Sequence, residues 1–409
     1  MIVALRDDLA RVAEITGSDL PIRLVENPQQ LPALGKGTLI FYVDHELMIV
    51  GPNVRDILEV LSARQQPSAF VKTALYQRVA GAYRNGVGWL LVADLQQMFS
   101  KNGTEPLSSG VGDIQQLILE QRTGSTGSAY QAVIGFNQQR TGMATWLAPP
   151  GAIGATEFLS PNTYGAAAIV TKDPALIIDD FFGILQKNND AWPRVQDFQR
   201  EHRIDVRYDL AENLGNEFLI AIDGPILPTP AWKAVIEVND AARLQNTIVR
   251  MTEEFNREAS IHSQPGLKLT TESVEGRTFY SITAGELPLQ IHYTFWSGYM
   301  IIAPARTLLM EAMRYHDSGN SLARSETFRS QFPADGRDHS SGFVYQNLQA
   351  IAGSIPIEKI QETVKGALPT LISLYAETDR ITMSSKGVLG ANVASLAGFA
   401  GMIEAIGVK

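Results

Sequence analysis

The stretch Asp338-His339-Ser340-Ser341 collects the acid, imidazole and hydroxyl that nucleophilic acyl transfer uses. Triad partners normally come from separate chain segments, so four consecutive residues read as a polar loop. Asp179-Asp180 lies in an apolar helical pattern. Adjacent helical positions point in different directions, so the two carboxyls cannot share a proton as a dyad; they read as one exposed acid and one paired or rim acid. Glu253-Glu254 reads as a solvated helix face, and Glu377 with Asp379 as a hairpin end. The six His (45, 202, 262, 292, 316 and 339) form no pair of metal-ligand spacing, and His292 reads as a hydrogen-bonded structural residue in an alternating strand. His45-Glu46 continues Leu-Met-Ile instead of reaching a second His. Gly35-Lys36-Gly37-Thr38 has Gln30 where a phosphate loop needs Gly, and it precedes a strand instead of following one. Gly86-Val87-Gly88 and Gly110-Val111-Gly112 lack the third Gly of a dinucleotide loop. Arg194, Arg200, Arg203 and Arg207 lie among acids and read as a surface ion-pair network. Trp89, Trp146, Trp232 and Trp296 are flanked by strand-like apolar residues and read as core, while Trp192, beside Asn188-Asn189-Asp190 and before Pro193, reads as exposed. No catalytic, cofactor-binding or metal-ligating residue is assigned on this reading, no cofactor is called, and the ligand site stays open.

Composition sets the frame for these residues. The chain has 409 residues, 34 basic and 43 acidic side chains and no Cys, for a formal charge of −9. Without Cys there are no disulfides, thiolate zinc sites or Cys nucleophiles. The acidic balance argues against a general nucleic-acid or anionic-membrane binder. Hydrophobic residues at 45% and charged residues at 19% describe a globular chain long enough for two or three domains. No stretch approaches the roughly 20 apolar residues of a membrane helix, and the apolar segment Ala394–Lys409 reads as a docked terminal helix, with the stump of a longer segment as the alternative. The start is charged too early for a signal peptide; Asp7 to Ala13 reads as an ordinary helix.

An internal repeat organises the elements. Met48 and Met300, Ile49 and Ile301, and Pro52 and Pro304 lie 252 positions apart. The register continues through Ile57, Leu58 and Leu61 against Leu309, Met310 and Met313, then Phe70 and Tyr76 against Leu322 and Phe328, and one residue later Leu95-Gln96 against Leu348-Gln349. A weaker match sets Ser128 and Tyr130 against Ser373 and Tyr375 at an offset of 245, each read as a hairpin with turns at Asn137–Arg140 and Thr378–Arg380. The reading is a duplication, with a first repeat unit over 1–150 and a second, complete one over 151–409. Phe158–Trp232 has no counterpart ahead of the first copy, so that copy is expected to start mid-unit. The natural polypeptide would then extend upstream by about half a unit and carry any signal or anchor there.

The local pattern is α+β, with helices packed on mainly antiparallel sheets. Thr38–Val43 and Glu46–Val50 flank a tight turn at Asp44-His45, and Asn53 caps a helix. Pro67-Ser68 starts another helix reaching Tyr83, Trp89–Ala93 reads as a buried strand, Leu95–Phe99 as a short helix and 101–112 as a loop. Tyr164–Thr171 is a strand, Asp173-Pro174 starts the helix Ala175–Leu185, and Ala191–His202 is a polar helix. Asp209–Gly215 reads as a short helix stopped by Gly before the strand Glu217–Ile222, and a Pro-rich connector leads to Lys233–Val238. A helix from Asp240 is followed by four strands near Leu267, Phe279, Ile291 and Met300.

Two stretches carry a resemblance: Asp209-Leu-x-x-x-Leu214-Gly215-x-Glu217-Phe218 with the connector to Trp232, and Leu322-Ala-x-Ser325-x-x-Phe328. Over about residues 150–355 they resemble a bacterial family of repeated cell-envelope proteins known only as a domain of unknown function. The resemblance implies a periplasmic or extracytoplasmic location, with membrane contact only through a segment outside this chain; a cytoplasmic location stays open. Duplication without a chemical motif, the lack of Cys and this resemblance lead to one expectation, a non-enzymatic binding or scaffold module with a protein or small-molecule partner. A hydrolase with dispersed catalytic residues and a carrier of an apolar ligand are the alternatives.

Overall fold

The computed structural model describes residues 22–25, 27, 39–43, 48–64, 69–96, 113–124, 127–187, 191–226, 229–285, 290–333, 339–354 and 368–386. Two compact units divide at Gly81/Ala82. In the first, β1 (Ile22–Val25) pairs in parallel with β2 (Leu39–Val43), and β2 pairs antiparallel with β3 (Met48–Gly51). Helix α1 (Val54–Arg64) follows; the Asn53 side chain accepts from Asp56 N at 2.9 Å and so satisfies one open donor of its first turn. Ile57, fully buried, packs with Val25 and Ile40. Instead of one helix from Pro67, the chain forms a 3₁₀ turn at Ala69–Lys72 and then α2 (Ala74–Arg84), because Thr73 Oγ1 accepts from Tyr76 N at 3.1 Å and resets the start.

The second unit is built on a 13-stranded sheet. Its elements run β4 (Val87–Asp94), β5 (Ile114–Gly124), β6 (Gly127–Phe136), β7 (Gly165–Val170), α3 (Pro174–Leu185), α4 (Ala191–His202), β8 (Leu214–Ile222), β9 (Trp232–Val238) and α5 (Ala241–Ile261). The meander β10 (Leu267–Val274), β11 (Arg277–Ala284), β12 (Gln290–Trp296) and β13 (Tyr299–Ala303) follows. Then come α6 (Arg306–Ser318), α7 (Glu326–Arg329), β14 (Gly342–Gln346), α8 (Leu348–Ser354), β15 (Thr370–Ala376) and β16 (Arg380–Ser385). The spatial order is β10-β11-β12-β13-β9-β8-β7-β14-β15-β16-β6-β5-β4, every neighbour antiparallel. The fold is α+β. Strands from both sides of residue 150 lie in this one sheet, so the compact units and the repeat division fall at different places.

Local chemistry sets the element ends. Asp173 accepts from Ala175 N with Pro174 in the first turn of α3, and Asp240 accepts from Arg243 N at the start of α5. The hairpins β10–β11 and β12–β13 turn on Glu275-Gly276 and Ser297-Gly298, all four at positive φ, the twist that two-residue hairpin loops require. Alternation then feeds both faces. Ile301, Ala303 and Val235 join the main core with Leu309, Ala312 and Met313 of α6, whereas Met300 and Val238 pack with Leu244 of α5 on the other side.

Strand registers relate two sets of elements. β2–β3 pairs Ile40 with Gly51, Phe41 with Val50, Tyr42 with Ile49 and Val43 with Met48. β12–β13 pairs His292 with Ala303, Tyr293 with Ile302, Thr294 with Ile301 and Phe295 with Met300, each residue 252 positions later. α1 and α6 also start 252 apart. The pairs from Trp89–Gln121 to Ala93–Leu117 in β4–β5 recur as Gly342–Leu374 to Gln346–Thr370 in β14–β15, 253 later. The same shift carries Leu119–Ala132 to Thr123–Ser128 onto Ile372–Ser385 to Ala376–Ile381. The weaker match at 245 is corrected by this register: residues 137–141 form a bend leading into a 3₁₀ turn, and the hairpin lies earlier, between β5 and β6. A second correction concerns Trp89–Ala93. This strand, read as buried, is the last of the sheet among the described residues, and Trp89 and Leu91 are exposed. The turn at 44–47, the loop 101–112 and the terminal segments 7–13 and 394–409 lie outside the described residues.

Candidate functional site

A cavity of about 560 Å³ opens in the second unit between the loop 151–157, the 3₁₀ turn Leu322–Arg324, α7 and the entry to β14. Its apolar wall is a cluster of rings: Phe328 lies 5.3 Å from Phe332 and 5.2 Å from Phe343, both edge-on. Its polar wall carries Glu157, Arg324, Glu326, Arg329 and His339. The loop is fixed from behind. Glu217 Oε2 accepts from Ala155 N at 2.9 Å and from the Tyr299 hydroxyl at 3.0 Å, and Gly151 N donates to Ser340 O at 3.2 Å. Burial, with the negative Glu217 beside it, pushes the Tyr299 phenol well up, so it serves as a donor. Glu157 faces His316 Nε2 at 3.8 Å, and the His316 ring stacks on Phe158 at 4.7 Å with Nδ1 3.1 Å from Asp317 Oδ1. An aromatic floor under a rim of both charges suits a ligand with an apolar body and polar or zwitterionic groups, and the guanidinium forks suit a carboxylate.

The polar stretch 338–341 reaches this cavity. His339 and Ser340 line it, Ser341 is fully buried, and Ser341 Oγ accepts from Ala376 N at 2.9 Å. Among the described residues no hydrogen bond joins His339 to either serine, and Asp338 lies outside them. A nucleophile and its base must come within hydrogen-bond reach, so these neighbours do not form the pair their types offered. Sequence reasoning missed Arg324, Arg329 and Glu157 because each is an ordinary surface charge until the turns fold together.

The remaining candidates are dispersed. Asp179 is exposed and pairs with Arg207 at 2.7 Å, while the half-buried Asp180 pairs with Lys172 and accepts from Trp146 Nε1 at 3.0 Å, so one acid is exposed and the other is a paired rim acid, as the helical pattern predicts. Burial raises the Asp180 carboxyl, but the hydrogen bonds from Lys172 and Trp146 outweigh it and hold the group below the usual carboxylate range. Arg200 meets Asp197 and Arg207 also meets Glu212, an ion-pair set on and beside α3 and α4. Glu254 pairs with Arg257 and His202, and Glu377 and Asp379 both meet Arg380. Burial, then Arg306, lowers the His292 pKa, which keeps this ring neutral. Trp192, read as exposed, is half-buried with its ring 5.0 Å from Phe182, and Trp89, read as core, is exposed.

The motif Asp209–Phe218 is structural throughout. Asp209 accepts from Asp205 N at 2.8 Å and pairs with Arg250 of α5 at 2.7 Å, while Asn213 Nδ2 donates to Asp209 O at 2.7 Å. These bonds close a π-turn, Val206–Leu210, and a 3₁₀ turn, Ala211–Asn213, so the short helix expected there is two tighter turns and Gly215 already lies in β8. Gly215 is needed for space: a Cβ there would stand 2.4 Å from Glu237 Cγ, and Glu237 must accept from Asn216 N at 2.8 Å. Leu322 N donates to Leu159 O, and Leu322 and Phe328 enter the core. Deeper still, Lys233 and Asp223 form a buried ion pair at 2.5 Å, Asp223 also accepting from Ser160 N at 3.0 Å and Thr163 Oγ1 at 2.9 Å. The Lys233 ammonium faces the Tyr315 ring at 5.2 Å.

Among the described residues no three His, Asp or Glu side chains converge as a metal site, and no helix is long and apolar enough to cross a membrane. The chain matches no protein-family model, no curated protein and no solved structure.

Proposed function

We propose that this chain is a non-enzymatic binding or scaffold module of the bacterial cell envelope, built from a duplicated α+β unit. The observation that carries the reading is the shared strand register. Four cross-strand pairs of β2–β3 reappear in β12–β13 at a shift of 252, and the β4–β5–β6 pairs reappear in β14–β15–β16 at 253. One slip of one residue would turn every side chain to the other face, so a common register across three strand pairs favours common descent over coincidence. Duplicated units present related surfaces, and the cavity at Phe328 gives the second copy a place for a ligand. Its charged rim favours a polar or peptide ligand over the apolar cargo of a carrier. The envelope location rests on the resemblance of Asp209–Phe218 and Leu322–Phe328 to the envelope repeat family.

Fractionation of source cells with an antibody against the chain, combined with ester, peptide and glycoside turnover assays on the purified protein, tests the proposal. The expected result is recovery in the periplasmic or membrane fraction with no turnover. Recovery in the cytoplasm with turnover abolished by Arg324→Ala or Glu157→Gln would replace it with the hydrolase.

A further inference from the structure

The rim of the cavity at Phe328 is cationic on a chain whose formal charge is −9. Arg324 and Arg329 are exposed there, and among the described residues no carboxylate pairs with either guanidinium. A third cation, Lys386 just after β16, donates to Ser330 O at 2.6 Å on the same rim. Of the two acids, Glu157 is turned to His316 Nε2 at 3.8 Å, which leaves Glu326 against the three cations. The Arg324 fork is placed by its surroundings. Its Cζ lies 3.2 Å from where a Cβ at Gly319 would stand, so the glycine that ends α6 leaves it room. The same cavity has an apolar floor, in which the partly buried Ile153 and Phe332 join Phe328 and Phe343.

We infer that the cavity captures the C-terminus of a polypeptide that ends in an aromatic or large aliphatic residue. The terminal carboxylate meets the Arg324 and Arg329 guanidiniums, and the terminal side chain enters beside Ile153, Phe328 and Phe332. A guanidinium takes a carboxylate through two parallel hydrogen bonds, and capture of a terminal carboxylate is a recurring mode of peptide recognition. The pairing of rim and floor favours a chain end over other carboxylates. In a terminal residue the side chain and the carboxylate leave the same carbon, so one residue fills both walls. An internal Asp or Glu spends its side chain on the carboxylate and has no apolar group left for the floor. A fatty acid has no peptide groups for the polar lining of Thr156, His339 and Ser340. The volume of about 560 Å³ holds a chain end, and the opening lets the rest of the partner continue outward. The inference rests on the binding-module reading and names the part of the partner that is held.

The probe is the peptide acetyl-Gly-Ser-Gly-Phe, made once with a free C-terminal carboxylate and once as the amide, titrated calorimetrically into the intact 409-residue protein. The acid is expected to bind about tenfold or more tighter than the amide, with the difference shrinking as salt is raised. The double variant Arg324→Gln and Arg329→Gln, two exposed positions, is expected to lose that preference at an unchanged urea midpoint. Arg324→Lys keeps the charge without the fork and is expected to retain part of the preference. Equal affinity for acid and amide, no binding of either at about 10 mM, or a preference that survives the double variant overturns the inference. So does dodecanoate binding more tightly than the acid peptide, because the ligand would then be a single-chain amphiphile. These failures leave an envelope-located, non-catalytic protein intact as a reading, whereas a cytoplasmic enzyme would remove that reading and leave the acid preference standing.

Discussion

Gly342→Ala tests the sheet at its centre. Gly342 pairs with Ile169 of β7 on one side and Leu374 of β15 on the other. A Cβ at this position would stand 2.6 Å from Ala168 O and 3.3 Å from Ile169 Cα. Ordinary carbon–oxygen contact begins near 3.3 Å, so a strand must move by about 0.7 Å. The obstacle is backbone, and β7 is hydrogen-bonded to β8 on its far side, so no side-chain rotation relieves it. Overpacking of this kind costs about 1–3 kcal/mol, and the reduced freedom of the unfolded chain returns about 0.5–1 kcal/mol. Taking the middle of each range, the net expectation is a loss of about 1.2 kcal/mol, or roughly 0.4 M in urea midpoint for an m-value near 3 kcal/mol/M. Gly81→Ala is the control: it lies in α2 with nothing within 4 Å of the added carbon and should gain about 0.5–1 kcal/mol. Urea unfolding gives the midpoints, and hydrogen exchange at Ala166–Ile169 and Gly342–Gln346 gives the local reading, with faster exchange in Gly342→Ala. A midpoint within 0.2 M of wild type, with unchanged exchange in both strands, would refute the β7–β14 packing.

Three further outcomes are expected. Lys233→Met leaves the Asp223 carboxylate buried without its cation and should cost about 3–5 kcal/mol; adding Asp223→Asn, which keeps an acceptor for Ser160 N and Thr163, should recover at least half in the same unfolding assay. Burial pushes the Tyr293 phenol, whose hydroxyl donates to Gln245 Oε1 at 3.0 Å, up to about 12. The unfolded phenol ionises near 10, so this contribution is complete below pH 10 and disappears as pH rises towards 12, at up to about 1.4 kcal/mol per unit; phenolate absorbance against pH, with and without Tyr293→Phe, locates it. Asp180 titrates below the usual carboxylate range, so its contribution is present above that range and is lost as pH falls through the lowered value. Lys172→Met should therefore move the Asp180 titration, read by carboxyl NMR, to higher pH.

Legibility in the sequence followed the range of each interaction. The helix starts at Asn53, Asp173 and Asp240 were readable because a cap acts within three residues, and the meander from Leu267 to Ala303 because alternation and its turn residues are local. The turns of Asp209–Asn213 were misread as a helix, since Arg250, from another element, helps to fix them. Trp89 was misread as core because an apolar strand looks the same at a sheet's edge as at its centre. Of the cavity only the polar stretch at His339-Ser340 stood out in sequence: Glu157, Arg324 and Arg329 are each ordinary surface charges there, and the loop 151–157 that carries Glu157 is held in place by Glu217.

By itself, then, the sequence determined an α+β chain without thiol chemistry, the caps, and the offset of 252 between matching apolar positions, all properties of single segments or of comparisons along the chain. The tertiary structure alone decided which strands adjoin, that the pairs of β5–β6 and β15–β16 coincide in register at 253 and not 245, and which apolar positions are covered. Coverage depends on β9 and the segment Gly154–Leu159, which return to β13 and α6 from far along the chain. Such long-range closure is set by packing, and packing leaves no periodic trace in the residues it joins.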